Sequence, residues 1–214
     1  MTSEIILEYS EAHTTPEIPL LARLNRETHF SQVYPQMLSG HLQGTLLRMI
    51  VQMLRPERLL EIGTFTGYSA IAMGLGMTLG KGGVLLHTIE VNQELEDEIY
   101  HYLREAGLEN RVVLHIGQAI DIIPALDEVW DLVFIDADKT NYLNYYKMVL
   151  PKVRQGGFII ADNVLWDGKV TGDPSKMDQD TRGIVEFNEF VHNDDRVENL
   201  ILPVRDGLMI IRKK

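Results

Sequence analysis

Short runs rich in branched and apolar residues recur along this chain, at Leu59 to Ile62, Val84 to Ile89, Val112 to Ile116, Leu132 to Ile135 and Phe158 to Ile160. Each is too short for a helix and lacks polar alternation, so each reads as a strand buried on both faces. Between them lie segments of good helix formers with helical spacing, Tyr68 to Leu79, Glu94 to Ala106 and Tyr142 to Val153. Strand and helix in alternation at this spacing imply a parallel, doubly wound α/β sheet with helices on both faces. The tail departs from the pattern, because Arg205, Asp206 and Gly207 separate the apolar runs Leu200 to Val204 and Leu208 to Ile211. An Asp-Gly between such runs signals a hairpin, so the sheet is expected to end with an antiparallel strand. Ahead of the first strand, Leu42, Leu46, Leu47, Ile50, Val51 and Leu54 share one side of a helix that Pro56 closes.

At 214 residues the chain is read as one domain, residues 1–214. No apolar run approaches the roughly 18 to 20 residues needed to span a membrane, so no membrane partner is expected. The opening Met1 to Ser10 has no basic stretch followed by an apolar one, which argues against a secretory signal. There is no cysteine, which removes disulfides, thiolate metal sites and cysteine nucleophiles and fits a cytoplasmic protein. With 20 basic against 31 acidic residues the net charge is -11, which repels a phosphate backbone, so nucleic acid is not an expected partner. Trp166 to Asp180 has no clear periodicity and contains Gly168, Gly172 and Pro174, the mark of a surface loop that is either an active-site lid or an inert excursion.

In a doubly wound sheet, ligands bind at the carboxyl ends of the strands. Glu61-Ile62-Gly63-Thr64-Phe65-Thr66-Gly67-Tyr68-Ser69 joins the first strand to a helix there. Phe65 occupies the second glycine position of a dinucleotide fingerprint and would hold a pyrophosphate away from the chain, which weakens a nicotinamide oxidoreductase reading. Glu61 would also repel a pyrophosphate, yet it suits a ligand carrying an ammonium and a sulfonium, such as S-adenosylmethionine. Glu90 closes the second strand, where an acid accepts hydrogen bonds from ribose hydroxyls. The plain alternative is that the glycines only permit a tight turn and the acids only cap helices. Gly80-Lys81 is not a P-loop, since Leu75 replaces the first glycine and no Ser or Thr follows, and no Gly-x-Ser-x-Gly is present.

The fourth strand ends in Phe134-Ile135-Asp136-Ala137-Asp138-Lys139 and the fifth in Ile159-Ile160-Ala161-Asp162-Asn163. If the two strands are neighbours, their ends lie about 5 Å apart and gather Asp136, Asp162 and Asn163 around one point. Two carboxylates and an amide favour a hard cation such as Mg²⁺, with calcium or manganese fitting the same ligands. The alternative makes Asp136 or Asp138 a helix cap and leaves Asp162 facing a turn. Lys139, three residues beyond Asp136, is placed by one helical turn to reach the same region and to act as a base, or else it is a solvated lysine. The seven histidines show no ligand spacing.

Taken together these segments resemble the cation-dependent O-methyltransferases that include the caffeoyl-CoA and catechol enzymes. Met37-Leu38-Ser39-Gly40 with Gln43-Gly44, Glu61 to Ser69, Phe134 to Lys139, Asp162-Asn163-Val164-Leu165-Trp166 and Asp206-Gly207 all look like that family's signatures, over residues from about 30 to the end. The resemblance implies a Rossmann-like methyltransferase fold with a seven-stranded, mostly parallel sheet and a terminal antiparallel hairpin strand, residues 1–55 forming N-terminal helices that cover the site. It implies that Met37, Ser39, Glu61, Gly63, Ser69, Glu90, Ala119 and Asp136 contact S-adenosylmethionine. Asp136, Asp162 and Asn163 would hold a divalent cation, Lys139 would be the base beside Asp136, and Trp166 would flank a small aromatic diol. A homodimer is implied as well. One departure is that Leu200 stands where the animal catechol enzyme carries a carboxylate. The rival readings are a nicotinamide-dependent oxidoreductase and a nucleotide-binding protein without turnover.

Overall fold

A computed structural model describes residues 4–77 and 85–214. Gly80-Lys81, the Thr78-Leu79 end of one expected helix, Val84 at the head of one expected strand and the first residues of the opening segment lie outside the described residues. The helices are α1 Glu4–Ala12, α2 Pro19–Ser31, α3 Gly40–Leu54, α4 Tyr68–Gly76, α5 Glu96–Glu105, α6 Ala119–Ala125, α7 Tyr142–Val149 and α8 Gln179–His192. The strands are β1 Arg58–Ile62, β2 Leu85–Glu90, β3 Val112–Ile116, β4 Trp130–Ile135, β5 Val153–Ala161, β6 Val197–Leu202 and β7 Leu208–Lys213. They form a seven-stranded sheet in the order β3-β2-β1-β4-β5-β7-β6.

The described residues fall into two compact units. One comprises Arg58–Gly63 and Ala119–Lys214, which contribute β1, β4, β5, β6 and β7 with α6, α7 and α8. Here β1 pairs with β4 and β4 with β5, both parallel, in a register that sets Ile62 beside Ile135 and Ile135 beside Ala161. Leu132, Val133, Phe134 and Ile135 are buried, as expected for a strand covered on both faces. β7 is antiparallel to β5 and to β6, so the antiparallel strand lies inside the sheet edge and β6 forms the edge itself. β6 begins at Val197, earlier than the run at Leu200 suggests, and stops at Leu202 because Pro203 lacks the N–H that a ladder needs.

The other unit comprises residues 4–57 and Thr64–Gln118, with α1 to α5 and the parallel pair β2 and β3. α3 is the helix expected before Pro56, and it buries Gln43, Leu47, Ile50 and Val51 while Met49 and Met53 face outward. α4 is buried almost all round, which fits a sequence with no charged residue between Tyr68 and Gly76. The expected helix at Glu94 to Ala106 is shorter and opens with a 3₁₀ turn at Gln93–Leu95, where the Asn92 side chain accepts from the Glu94 N–H.

Two further differences bear on the site. The helix expected to reach Val153 stops at Val149, and Pro151 sits in a 3₁₀ turn before β5. The loop expected over Trp166 to Asp180 contains 3₁₀ turns at Trp166–Thr171 and Pro174–Lys176, and then α8 begins at Gln179. Asp178 caps α8, its side chain accepting from the Thr181 N–H, and the helix buries Thr181, Ile184, Phe187 and Val191 at helical spacing.

The turn after β1 is the tightest point of this architecture. Gly63 has φ +98°, and a Cβ there would lie 1.9 Å from the Asp136 carbonyl oxygen. A side chain is excluded both by backbone conformation and by contact. Gly63→Ala is therefore expected to cost about 3 kcal/mol or more of stability, because the clash is with backbone that cannot step aside. Urea denaturation followed by circular dichroism measures it, and an unchanged midpoint would show that this turn is slack.

Candidate active site

The parallel ladder continues one step past the ends of its strands. The Asp136 N–H donates to the Ile62 carbonyl and the Asp162 N–H to the Ile135 carbonyl, each at 2.9 Å. Gly63, Asp136 and Asp162 thus follow three residues in lateral register and stand side by side at the carboxyl edge of one unit. Asp162 is 3% exposed, and its Oδ1 accepts from the Asn163 N–H at 2.7 Å. Asn163 has φ +56°, a conformation asparagine tolerates better than most residues.

Lys139 begins a 3₁₀ turn that leads into α7, which carries its side chain back over the strand ends. Its Nζ donates to Asp136 Oδ1 at 3.1 Å, to Asn163 Oδ1 at 2.8 Å and to the Tyr142 hydroxyl at 2.8 Å. Lys139 is buried, so an ammonium here needs these partners. Tyr142 in turn donates to the Asp162 carbonyl at 3.1 Å. Burial first, and then the Asp136 and Asp162 carboxylates, hold the Tyr142 phenol well above its ordinary range, so it keeps its proton and serves as a fixed donor. Asp138 points elsewhere, accepting from Tyr145 and from Asn141 Nδ2; it precedes the 3₁₀ turn, but its side chain makes no capping bond to a backbone N–H.

The Trp166 ring centroid lies 5.5 Å from Lys139 Nζ and 5.5 Å from Lys169 Nζ. Its backbone is unusual. Trp166, Asp167 and Gly168 have φ of +46°, +53° and +75°, and left-handed conformations cost of order 1 to 3 kcal/mol at non-glycine residues. The indole Nε1 is buried without a hydrogen-bond partner.

Hard cations prefer oxygen ligands, and here a cationic nitrogen already draws oxygens of Asp136 and Asn163 to one point beside Asp162. The donor set therefore fits a hard divalent ion. Among the described residues no group of three or more His, Cys, Asp or Glu side chains is placed to hold a metal ion.

The remaining expected residues are distributed as follows. In the unit that holds Asp136, Glu61 is fully buried opposite Phe134, and Ala119 is buried at the start of α6. In the other unit, Ser69 is buried in the first turn of α4, Ser39 is buried at the start of α3, and Met37 is exposed in the preceding turn. Glu90 ends β2; its Oε2 accepts from the Phe65 N–H at 2.7 Å and its Oε1 from the Asn92 N–H at 2.8 Å. Each oxygen retains a lone pair for a ligand hydroxyl. The Phe65 amide, which a pyrophosphate would need, is committed to a carboxylate.

Sequence reasoning missed Tyr142. Its spacing of three from Lys139 was the available signal, but a tyrosine on an apolar helix face reads as core. Asn188, whose Nδ2 donates to the Val164 carbonyl at 2.8 Å, lies on α8 beyond the loop expected to end at Asp180, in a stretch with no expected element.

The strand order is that of a Rossmann-like sheet, and the comparisons with known proteins give the class, an S-adenosylmethionine-dependent O-methyltransferase. Residues 10–214 match the O-methyltransferase family, and the chain belongs to it. It is 31% identical over 225 residues to caffeoyl-CoA O-methyltransferase 1 of Nicotiana tabacum, an alignment covering 100% of this chain and 93% of the relative. The O-methyltransferase TomG of Streptomyces achromogenes, involved in tomaymycin synthesis and solved in complex with SAM, superposes with a TM-score of 0.89 at 28% identity, covering 98% of this chain and 96% of that one. An O-methyltransferase from Bacillus cereus in complex with SAH gives a TM-score of 0.89 at 28% identity, with 98% and 97% covered. No helix among the described residues is long and apolar enough to cross a membrane.

Tyr142→Phe is expected to lower stability by about 1 to 3 kcal/mol, since it removes one of three partners of a buried ammonium and the donor to the Asp162 carbonyl. Chemical denaturation of the two proteins side by side checks this. Equal stability would mean that the Lys139 cluster does not depend on the phenol.

Proposed function

We propose that this enzyme moves a methyl group from S-adenosylmethionine to one hydroxyl of a catechol-type acceptor, with a divalent cation, Mg²⁺, held by Asp136, Asp162 and Asn163. The observation that supports this most is the convergence of Asp136 Oδ1 and Asn163 Oδ1 on one cationic nitrogen beside the Trp166 ring. The caffeoyl-CoA name of the relatives and the SAM and SAH complexes of the structural neighbours point the same way.

Each residue has a chemical task in this reading. Met37, Ser39, Glu61, Gly63, Ser69, Glu90, Ala119 and Asp136 bind the donor. Glu90 accepts from the ribose hydroxyls, Glu61 offers negative charge to the ammonium and sulfonium, and Gly63 lets the ligand approach backbone. When bound, the cation supplies Lewis acidity that favours ionisation of a phenol whose ordinary pKa is about 10, and a template for two adjacent oxygens. Lys139 is the base that accepts the hydroxyl proton at Nζ once its ammonium has given up a proton of its own, and its partners Asp136 and Asn163 fix where that nitrogen stands. Trp166 offers a ring face against which an aromatic acceptor packs. Phe30, 86% exposed, and Val33, 83% exposed, are apolar residues that support a second copy of the chain as a partner.

The reading predicts that caffeate or another simple catechol is methylated while its analogue with one hydroxyl reacts at least ~100-fold more slowly in kcat/KM, a loss of about 3 kcal/mol from one missing oxygen contact and the orientation it enforces. Excess EDTA is expected to stop turnover and Mg²⁺ to restore it. Equal kcat/KM for the two acceptors, or full activity after chelation and dialysis, contradicts the proposal.

A further inference from the structure

The loop that carries Trp166 joins two costs that stability alone does not call for, left-handed backbone at two successive non-glycine residues and a buried indole N–H without a partner. Such features persist only where the surroundings over-determine them, and they concentrate at functional sites. The clamp comes from the β6–β7 turn. The Val164 N–H donates to the Gly207 carbonyl at 3.1 Å and the Leu165 N–H to the Asp206 carbonyl at 2.9 Å. The Asp206 carboxylate accepts from the Asp167 N–H, next to Trp166. The two backbone bonds survive any substitution at 206, whereas the carboxylate bond holds the strained peptide itself. Gly207, at φ +89°, where an added Cβ would lie only 2.5 Å from Leu165 Cγ, lets the turn press this closely on the loop.

We propose that Asp206 is a positioning residue for the acceptor: by holding the Asp167 N–H it fixes Trp166 in its left-handed conformation and so sets the ring beside Lys139. This rests on the reading of Trp166 as the wall against which the aromatic acceptor packs. Asp206 touches neither Lys139 nor the three oxygen ligands in the contacts above, so it acts through Trp166, on acceptor binding rather than on methyl transfer. Losing the carboxylate frees the loop to relax its backbone and the ring to leave its place.

The test uses the full chain with D206A and D206N. The protein has two tryptophans, of which Trp130 is fully buried in β4, so subtracting the matching W166F variant isolates the Trp166 signal. In D206A, acrylamide quenching of Trp166 is expected to rise about 2-fold or more, and the acceptor KM about 10-fold, with kcat within about 3-fold and the dissociation constant of S-adenosylmethionine unchanged. D206N retains a neutral oxygen that accepts the N–H, and it is expected to show smaller rises of about 2-fold in quenching and KM. Trp166 quenching at the wild-type level in D206A overturns the proposal. So does a loosened Trp166 with an unchanged acceptor KM, or a loss confined to kcat. Should D206A fail to fold, D206N decides, and wild-type quenching and KM in that variant overturn it. If the wild-type protein methylates no catechol, the acceptor reading fails, while the quenching comparison still decides whether Asp206 holds Trp166.

Discussion

The lateral register of Ile62, Ile135 and Ala161 is the constraint from which the candidate site follows. Parallel strands about 4.8 Å apart present their carboxyl ends on one edge, so whatever residues come next are placed side by side without further design. Here the next residues are Gly63, Asp136 and Asp162. The glycine admits the Asp136 carbonyl at a distance no side chain allows, and the two aspartates occupy neighbouring backbone positions along the edge. A shift of one residue in either pairing would turn one carboxylate to the opposite face of the sheet.

Gathering carboxylates at a buried edge raises an electrostatic problem that Lys139 answers. An unpaired buried charge is costly, and the ammonium satisfies Asp136, Asn163 and the Tyr142 hydroxyl together. Under the proposed function the oxygens of Asp136, Asp162 and Asn163 would hold a divalent ion, with Lys139 beside them as the base. Trp166 is held at the rim of this cluster by a loop whose strain is offset by the β6–β7 turn.

Much of this was legible in the sequence for definite reasons. Strands buried on both faces leave continuous apolar runs, so the sequence places β1 and β4 close to their true bounds, and the acid after β4 marks its end. Elements whose signal is amphipathic or interrupted were less legible. α8 has no counterpart in the sequence reading, whose loop ends at Asp180, although Thr181, Ile184, Phe187 and Val191 recur at helical spacing. β5 was read as three residues because Gln155, Gly156 and Gly157 break its apolar character before Phe158. Asp206 could be named as part of a motif, yet its bond to the Asp167 N–H depends on a fold in which residues 39 positions apart meet, and no local pattern announces that.

The central claim is that Asp136, Asp162 and Asn163 form one cation site, and calorimetric titration of Mg²⁺ into the metal-free protein tests it without reference to any acceptor. Asp162→Ala removes one of the three proposed ligands and leaves the main-chain bond from the residue-162 N–H to the Ile135 carbonyl in place. The account predicts one Mg²⁺ per chain in the wild-type protein and a loss of affinity of at least about 10-fold in Asp162→Ala. Equal Mg²⁺ affinity in the two proteins, or no binding to the wild type, would contradict it.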